Sequence, residues 1–312
     1  MDKTFEFIKG FTFRFVPSET QGFADEKTKA SLRTLKAETQ VDTVVMAIVA
    51  LQDTPHSETI DFRGSHMPTD HELREMIAYA SQLGLRVILK PMVNCRDGSW
   101  RAWINFFDKE VPCEPKWSRW FASYTEYLLH YARLAEACGC EMLIIGCELV
   151  MAERREAEWR ELIRKLRGVY SGLMTYNTDK YQEDRVTWWD ALDVISSSGY
   201  YPMDRWEENL ERIHGVVTSF DKPFFFAECG IPCRTGSSAA PNDWTFEGPL
   251  DMEEQRRYYE VMFETSRRYP WVNGFVCWDW ASNYTEYPII NDGYSVYQKP
   301  ACQVIKTFYK EK

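Results

Sequence analysis

The sequence predicts a single (β/α)8 barrel over residues 1–312, in the α/β class. Short apolar runs alternate with longer amphipathic stretches from end to end, which is typical of repeated β-α units around a parallel sheet. Eight such units can be counted, and the chain length lies within the range of this fold. No long Pro-, Gly- or Ser-rich linker divides the chain, so one domain accounts for all of it.

The predicted strands are the short apolar runs. They span Ile8–Phe15, Thr43–Leu51, Arg86–Pro91, Met142–Cys147, Gly172–Tyr176, Val194–Ser198, Pro223–Ala227 and Gly274–Trp280. The predicted helices are the amphipathic stretches, and they span Asp25–Gln40, Asp70–Leu83, Trp117–Ala137, Glu156–Tyr170, Trp206–Phe220, Met252–Tyr269 and Lys299–Tyr309. Boundary signals support them: Thr69-Asp70 precedes Glu72 as a helix cap, and Gly84 and Gly139 end helices just before a strand.

Charge and composition disfavour several classes of partner. With 47 acidic and 37 basic residues the net charge is −10, which argues against nucleic acid and anionic membrane surfaces. No run of 18 apolar residues is present to span a bilayer. The first residues show no secretory signal, which predicts a cytoplasmic protein, or a secreted one if a signal was removed. We expect a monomer.

The nine cysteines have no regular spacing. Cys138 and Cys140 flank one glycine as C-G-C, which is too close for a normal zinc or redox pair. We therefore expect free thiols in a reducing compartment.

Three long irregular stretches, Val93–Lys116, Cys229–Asp251 and Ala281–Gln298, follow predicted strands rather than helices. In a barrel these loops lie at the C-terminal ends of the strands, where active sites form. They carry Trp100, Trp103, Trp244 and Tyr284. Aromatic residues make up 15% of the chain, which suits stacking on sugar rings but also fits a tightly packed core.

Two glutamates, Glu148 and Glu228, come directly after the apolar runs Met142–Cys147 and Pro223–Ala227. Carboxylates at the C-terminal ends of barrel strands are placed for catalysis, although Glu148 alone also fits the start of a helix. Two such groups facing one cleft indicate glycoside hydrolysis. One carboxylic acid protonates the leaving oxygen, while the other carboxylate attacks the sugar carbon or activates water.

Five stretches of the chain resemble glycoside hydrolase family 113, in the family's order and over most of the barrel. They are Lys90–Arg101, Ile144–Leu149, Tyr170–Asn177, Gly199–Pro202 and Phe226–Gly230. This family consists of barrel enzymes that act on β-mannan and manno-oligosaccharides. It belongs to the retaining glycosidases of clan A, which carry the acid/base after strand four and the nucleophile after strand seven.

By this resemblance Glu148 is the general acid/base and Glu228 the nucleophile. The substrate is β-mannan or a manno-oligosaccharide cleaved at β-1,4 linkages, and the reaction needs no metal and no other cofactor. A separation of about 5–5.5 Å between the carboxyl groups accompanies a retaining mechanism, whereas about 6.5–9.5 Å leaves room for the water of an inverting enzyme.

The resemblance also implies aromatic residues around the cleft. Clan A enzymes commonly have a tryptophan at the end of strand eight, under the sugar being cleaved. We expect Trp278 and Trp280 to point to opposite sides, so that at most one floors the cleft, and Trp280 is nearer the rim. Tyr200 and Tyr201 after strand six both offer a phenol to the nucleophile, and the sequence leaves open which one does so.

Cys147 departs from the clan pattern, because many members have asparagine there to hold the sugar 2-hydroxyl. A thiol is a weak hydrogen-bonding group, so the contact must come from elsewhere, and Asn94, Asn177 and Arg14 are the candidates. Further predicted substrate-binding residues are Tyr176, which ends strand five beside Asn177, and Trp100, Arg101 and Trp244 on the loops.

Several other functions compete with this interpretation. Metal-dependent hydrolysis is disfavoured because none of the five histidines, His56, His66, His71, His130 and His214, ends a predicted strand. The glycines after strand seven are too scattered to cradle a phosphate. A catalytically silent carbohydrate-binding barrel remains open, as do an exo-acting β-mannosidase, a transglycosylase and another β-glycanase.

Overall fold

Eight parallel strands close into a barrel in sequence order, β1 to β8, in the computed structural model of the chain. The structure describes residues 5–16, 22–283 and 293–312. The strands are β1 (Ile8–Arg14), β2 (Thr43–Gln52), β3 (Arg86–Cys95), β4 (Met142–Cys147), β5 (Leu173–Thr178), β6 (Ile195–Gly199), β7 (Phe224–Cys229) and β8 (Val272–Ala281). The predicted (β/α)8 fold is confirmed.

Seven α-helices surround this barrel over the described ranges. They are α1 (Glu26–Thr39), α2 (Asp70–Gln82), α3 (Trp117–Cys138), α4 (Glu156–Arg167), α5 (Trp206–Phe220), α6 (Met252–Ser266) and α7 (Pro300–Glu311). Between β5 and β6 the chain instead forms a 3₁₀ turn, Trp189–Ala191. No helix in the part of the chain that the structure describes is long and apolar enough to cross a membrane.

The element boundaries follow local signals. Thr69 and Glu72 form the reciprocal capping box that begins α2, as predicted. Gly139 ends α3 in the left-handed conformation (φ 68°), which costs glycine little because it has no Cβ. The largest difference from the prediction is β3, which runs four residues beyond Pro91, to Cys95, and so carries Asn94 on the strand rather than in a loop.

The core has two layers. Inside the barrel, aliphatic side chains such as Val45, Ile88 and Ile144 fill the space between the strands. Between the strands and the helices, the packing is dominated by aromatic rings. Seven of the twelve tryptophans are fully buried there: Trp117, Trp120, Trp159, Trp188, Trp189, Trp206 and Trp280. Most of the aromatic surplus therefore serves the core.

Register shifts interrupt the strand pairing near the C-terminal end of the barrel, between β4 and β5, β6 and β7, and β8 and β1. An extra residue in one strand of a pair changes which side chains face inward beyond it. These shifts decide which residues reach the cleft at that end.

Candidate active site

A cleft of about 1110 Å³ opens at the C-terminal ends of the strands. It combines both predicted catalytic glutamates with aromatic and charged side chains from six loops or strand ends. Its lining includes Arg14, Asn94, Trp100, Arg101, Glu148, Asp179, Lys180, Tyr200, Glu228, Arg234, Trp244, Trp278, Asp279 and Tyr294.

Glu228 reaches the cleft because of the irregularity in β7. Phe226 pairs with Ser197 and faces the outer layer, so regular alternation would send Glu228 outward too. The register shift instead sets Glu228 opposite Ser198, whose side chain faces inward. Glu228 is then 3% exposed, at the wall of the cleft.

Three donors hold the Glu228 carboxylate. Lys90 Nζ donates to Oε1 at 2.5 Å, and Cys147 Sγ lies 3.4 Å from the same oxygen. Tyr200 OH donates to Oε2 at 2.9 Å. Burial alone would raise the pKa of Glu228, but the charges of Lys90 and Arg101 and the hydrogen bonds from Lys90 and Tyr200 outweigh it and lower the pKa. Glu228 is thus held as a carboxylate.

Glu148 enters the cleft through a special backbone conformation. Cys147 faces inward at the end of β4, opposite Asn177, and Glu148 then adopts a left-handed conformation with φ 52°. Such a conformation costs a non-glycine residue about 1–3 kcal/mol and is concentrated at functional sites. The Glu148 amide donates to the Asn177 carbonyl at 2.8 Å, which holds the turn in place.

The Glu148 carboxylate differs from Glu228 in its partners. Ser198 Oγ donates to Oε1 at 2.8 Å, and Arg101 Nη2 lies 3.5 Å from Oε2. Arg101 is itself fixed by Asn94, whose Oδ1 accepts from Nη1 at 2.8 Å. Glu148 therefore receives a hydroxyl donor and a longer ion pair, whereas Glu228 receives a short contact from an ammonium group.

A chain of hydrogen bonds runs beneath the two carboxylates. Lys90 Nζ donates to Asn177 Oδ1 at 2.7 Å, and Asn177 Nδ2 donates to Ser198 Oγ at 3.0 Å. Ser198 in turn donates to Glu148. Asn177 also donates to the Thr178 carbonyl, so its amide is engaged on both ends and is buried. Asn177 therefore connects Lys90 and Ser198 beneath the cleft. The predicted contact with a sugar would require its polar atoms to face the cleft, and they do not.

Further charged groups line the walls. Arg14 Nε donates to Asp279 Oδ2 at 2.5 Å, so this candidate is paired inside the cleft. Asp179 follows β5, with Lys180 Nζ 3.6 Å from its carboxylate. Burial, and next the negative charge of Glu148, raise the pKa of Asp179 to about 7. Besides Glu148 and Glu228, the cleft therefore contains an aspartic acid with a raised pKa.

Two of the predicted substrate-binding tyrosines do not face the cleft. Tyr176 is fully buried in the outer layer and donates to Glu153 Oε1 at 2.9 Å, because it alternates with the inward-facing Asn177. Tyr201 is likewise buried and donates to Glu183, and only Tyr200 contacts Glu228. Placing Tyr176 and Tyr201 in the substrate site was wrong.

The two tryptophans of β8 do point to opposite sides, but Trp278 lines the cleft and Trp280 does not. A regular strand would put residues two apart on one face. Opposite the stretch from Phe11 to Phe13 on β1, strand β8 has one extra residue. This extra residue turns Trp280 outward. Its Nε1 donates to Ser31 Oγ at 3.0 Å, beneath α1. The prediction that favoured Trp280 as the cleft residue was wrong.

On the loops, the structure places Trp100 and Trp244 on the cleft, as predicted. Trp244 is 67% exposed and thus free to stack on a ligand ring. Trp103 is also exposed but lies outside the cleft lining. Tyr284 lies outside the described residues.

Sequence reasoning missed Lys90, Ser198, Asp179 and Tyr294. A signal existed for Lys90, since a lysine inside the apolar run of β3 is buried only when it is paired. Ser198 lies one residue before the end of β6, and Asp179 directly follows β5. Both would have been found by extending the strand-end argument to all polar residues. Tyr294 gave no comparable signal.

The arrangement suits acid/base and nucleophilic chemistry on a neutral ligand. Two buried carboxyl groups held by different partners fit the two roles that glycosidic bond cleavage requires. Across residues 5–16, 22–283 and 293–312, no three His, Cys, Asp or Glu side chains are grouped to hold a metal ion.

Comparisons with known proteins agree with this site. The model of Glycoside Hydrolase Family 113 matches residues 11–299. A solved complex of a GH113 β-1,4-mannanase is 54% identical, with a TM-score of 0.95, and the match covers 98% of this chain and 100% of that one. The GH113 β-mannanase AaManA from Alicyclobacillus acidocaldarius, solved in complex with ManMIm, is 39% identical, with a TM-score of 0.92 and 98% of each chain covered.

More distant structures share the fold alone. A β-D-glucuronidase from Dictyoglomus thermophilum is 16% identical, with a TM-score of 0.65, and the match covers 98% of this chain and 51% of that one. No curated protein matches the chain. The family match over most of the barrel, together with the two near-full-length structures, shows that this chain belongs to glycoside hydrolase family 113.

Proposed function

We propose that the protein is a retaining endo-β-1,4-mannanase that cleaves mannan or manno-oligosaccharides, with Glu228 as nucleophile and Glu148 as general acid/base. The observation that carries the proposal is the pair of buried glutamates facing one cleft with different partners. Glu228 is held ionised by Lys90 and Tyr200, while Glu148 is held by a neutral hydroxyl and a longer contact to Arg101. The β-1,4-mannanases that resemble the chain support the choice of substrate.

In the first step, a Glu228 carboxylate oxygen attacks the anomeric carbon and forms an ester. The bond from this carbon to the leaving oxygen breaks, and that oxygen takes the electron pair and the proton of Glu148. In the second step, water attacks the same carbon while Glu148 takes its proton. The ester bond breaks, and its electron pair returns to Glu228 as a carboxylate.

The cleft suits a chain of several sugars. Its volume of about 1110 Å³ exceeds the roughly 300–1,000 Å³ of ordinary small-molecule pockets. Trp278 lines the same cleft as the two glutamates, and the exposed Trp244 offers a second ring surface on the loop after β7. Aromatic faces at two places along one cleft favour binding of successive sugar rings over binding of one ring alone.

Product analysis tests the proposal. The purified protein is incubated with mannohexaose, cellohexaose and xylohexaose, and the products are resolved by length, with Glu228→Ala as the paired variant. Mannohexaose cleavage into internal fragments by the wild type, with loss of at least about a thousandfold in Glu228→Ala, is expected because the nucleophile is removed. Folding and sugar binding should persist in the variant.

Each other outcome selects an alternative. Release of single sugars from one chain end would replace endo with exo action, and longer products would indicate transglycosylation. Binding of mannohexaose with no cleavage of any of the three chains would overturn catalysis and leave a carbohydrate-binding barrel. Normal activity in Glu228→Ala would overturn the assignment of the nucleophile.

A further inference from the structure

Lys90 is a fully buried cation in the middle of β3. Its ammonium group contacts two side chains from other strands, Glu228 on β7 and Asn177 on β5. An unpaired ammonium ion at this depth would be strongly destabilising, so these contacts must keep it charged. Burial lowers the pKa of Lys90, but the negative charges of the site outweigh this and raise the pKa.

The hydrogen bonds leave Lys90 in two directions. One bond runs directly to Glu228 Oε1. The other runs to Asn177 Oδ1, from Asn177 Nδ2 to Ser198 Oγ, and from Ser198 to Glu148 Oε1. Each group in this second path donates onward toward Glu148, so every bond is polarised in the same sense by the ammonium charge.

We propose that Lys90 is a positioning residue that holds both catalytic carboxylates, Glu228 directly and Glu148 through Asn177 and Ser198. The inference rests on the proposed function, because it assigns the same two glutamates to the reaction. It adds that one cation orients both groups and favours the ionised form of the nucleophile.

The contacts also distinguish the two oxygens of Glu228. Oε1 accepts from Lys90, which is fully buried beneath the cleft, whereas Oε2 accepts from Tyr200, which lines the cleft. Oε2 is therefore the oxygen that attacks the anomeric carbon. Oε1 becomes the carbonyl oxygen of the ester and keeps its bond to Lys90.

This arrangement affects the second step most. When the ester bond breaks, Glu228 regains a full negative charge that is shared between its two oxygens. Lys90 already contacts one of them, Oε1. Preorganised charge of this kind stabilises a transition state in which negative charge develops. Lys90 keeps its proton throughout, so the atom and electron balance of both steps is unchanged.

The test compares Lys90→Met with wild type over a range of pH, using hydrolysis of mannohexaose. Without the cation, kcat should fall by at least about a hundredfold, because kcat includes the second step. The acidic limb of the profile should move to higher pH by about one unit or more, because Glu228 becomes harder to ionise. Lys222 lies just ahead of β7 and donates to the Leu192 carbonyl, so Lys222→Met is the matched control and should leave the profile unchanged.

A second readout follows the glycosyl-enzyme by intact-protein mass spectrometry during turnover of a dinitrophenyl β-mannoside. This leaving group needs little protonation, so the first step stays fast and the ester should accumulate in Lys90→Met more than in wild type. Lys90→Gln, which is neutral but still able to donate a hydrogen bond, serves if Lys90→Met is unstable. Lys90→Arg should restore the position of the acidic limb.

A uniform loss of activity with an unmoved acidic limb would overturn the inference, because a purely structural lysine predicts that result. If neither Lys90→Met nor Lys90→Gln folds, the inference is overturned too, because Lys90 would then be needed for folding. Inactivity of the wild type on every glycan would instead overturn the proposed function, and that outcome is separate.

Discussion

Four glutamates are buried at the C-terminal end of the barrel, in two pairs on opposite sides of its wall. Glu148 and Glu228 face the cleft, while Glu153 and Glu183 lie in the outer layer beneath the helices. Both pairs are nearly inaccessible, and both contact tyrosine hydroxyls and serine or threonine hydroxyls. Burial and hydrogen bonding therefore do not separate them.

The difference is in the charges and in access to a ligand. Burial, only partly offset by hydrogen bonds from Thr178 and Tyr176, raises the pKa of Glu153 to about 8, so it is a neutral acid inside the protein. Glu183 is paired with Arg212 at 2.8 Å. The cleft pair instead meets Lys90 and Arg101 beside an open volume. A perturbed pKa indicates a functional site only where a substrate can reach the group.

Removing the proposed acid/base, Glu148, should give the largest difference in activity between the cleft pair and the outer pair of glutamates. In Glu148→Ala, cleavage of mannohexaose should fall by about 10²–10⁴-fold, since the leaving oxygen receives no proton. Action on a dinitrophenyl β-mannoside should be largely retained in the first step, because that leaving group needs little protonation. The check is the ratio of kcat/KM values for the two substrates.

Glu153→Gln is the matched control, because it replaces the neutral acid of the outer pair by an amide of the same shape. Its mannohexaose activity should stay close to that of wild type. Equal losses on both substrates in Glu148→Ala, or an unchanged pH profile, would contradict the acid/base role.

The adjacent residues Tyr200 and Tyr201 should give the next largest difference between the cleft pair and the outer pair. Tyr200→Phe removes a hydrogen bond to the ionised Glu228, worth about 1.5–3 kcal/mol, so kcat should fall by roughly 10–100-fold. Tyr201→Phe removes the bond to Glu183 in the outer layer. It should lower the free energy of unfolding by about 1–3 kcal/mol and leave kcat near that of wild type.

Steady-state kinetics and urea denaturation of both variants test this pair. Equal kinetic losses in the two variants would remove the distinction between the inner and outer sides of β6. A Tyr200→Phe enzyme with wild-type kcat would show that Lys90 and Cys147 hold Glu228 without the Tyr200 hydrogen bond.

The sequence predicted the fold and the placement of Glu148 and Glu228 in one cleft because both follow from local patterns. Alternating apolar and amphipathic stretches indicate β-α units, and parallel strands bring their C-terminal ends to one edge, so Glu148 and Glu228 had to lie near each other. The predicted fold needed no knowledge of long-range contacts.

Side-chain direction was less predictable, because it depends on pairing between strands. The register shifts that turn Glu228 inward and Trp280 outward leave no mark within the strand itself. Lys90 stands out in the sequence as a charge in an apolar strand, but its partners are 87 and 138 residues away along the chain. Such a constellation is visible only once the barrel is closed.

Glu153 should have the smallest effect on activity of all these residues. The sharpest test of its role is the dependence of folding stability on pH. The folded state keeps the Glu153 proton up to a pKa of about 8, whereas the unfolded chain releases it at about 4.3. Between these values the folded state binds more protons, so the contribution of Glu153 to stability is complete below pH 4 and declines as pH rises toward 8. The slope is at most about 1.4 kcal/mol per pH unit, which sums to a few kcal/mol.

Glu153→Gln removes this titration while its amide oxygen still accepts from Tyr176 and Thr178. Urea denaturation of the variant and wild type at pH 5, 6.5 and 8 isolates the effect, because other groups, including Asp179, cancel in the difference between the two proteins. The wild type should lose a few kcal/mol more than the variant from pH 5 to 8. Parallel losses would mean that Glu153 is ionised in the fold, and the contrast between a neutral outer acid and an ionised nucleophile would then fail.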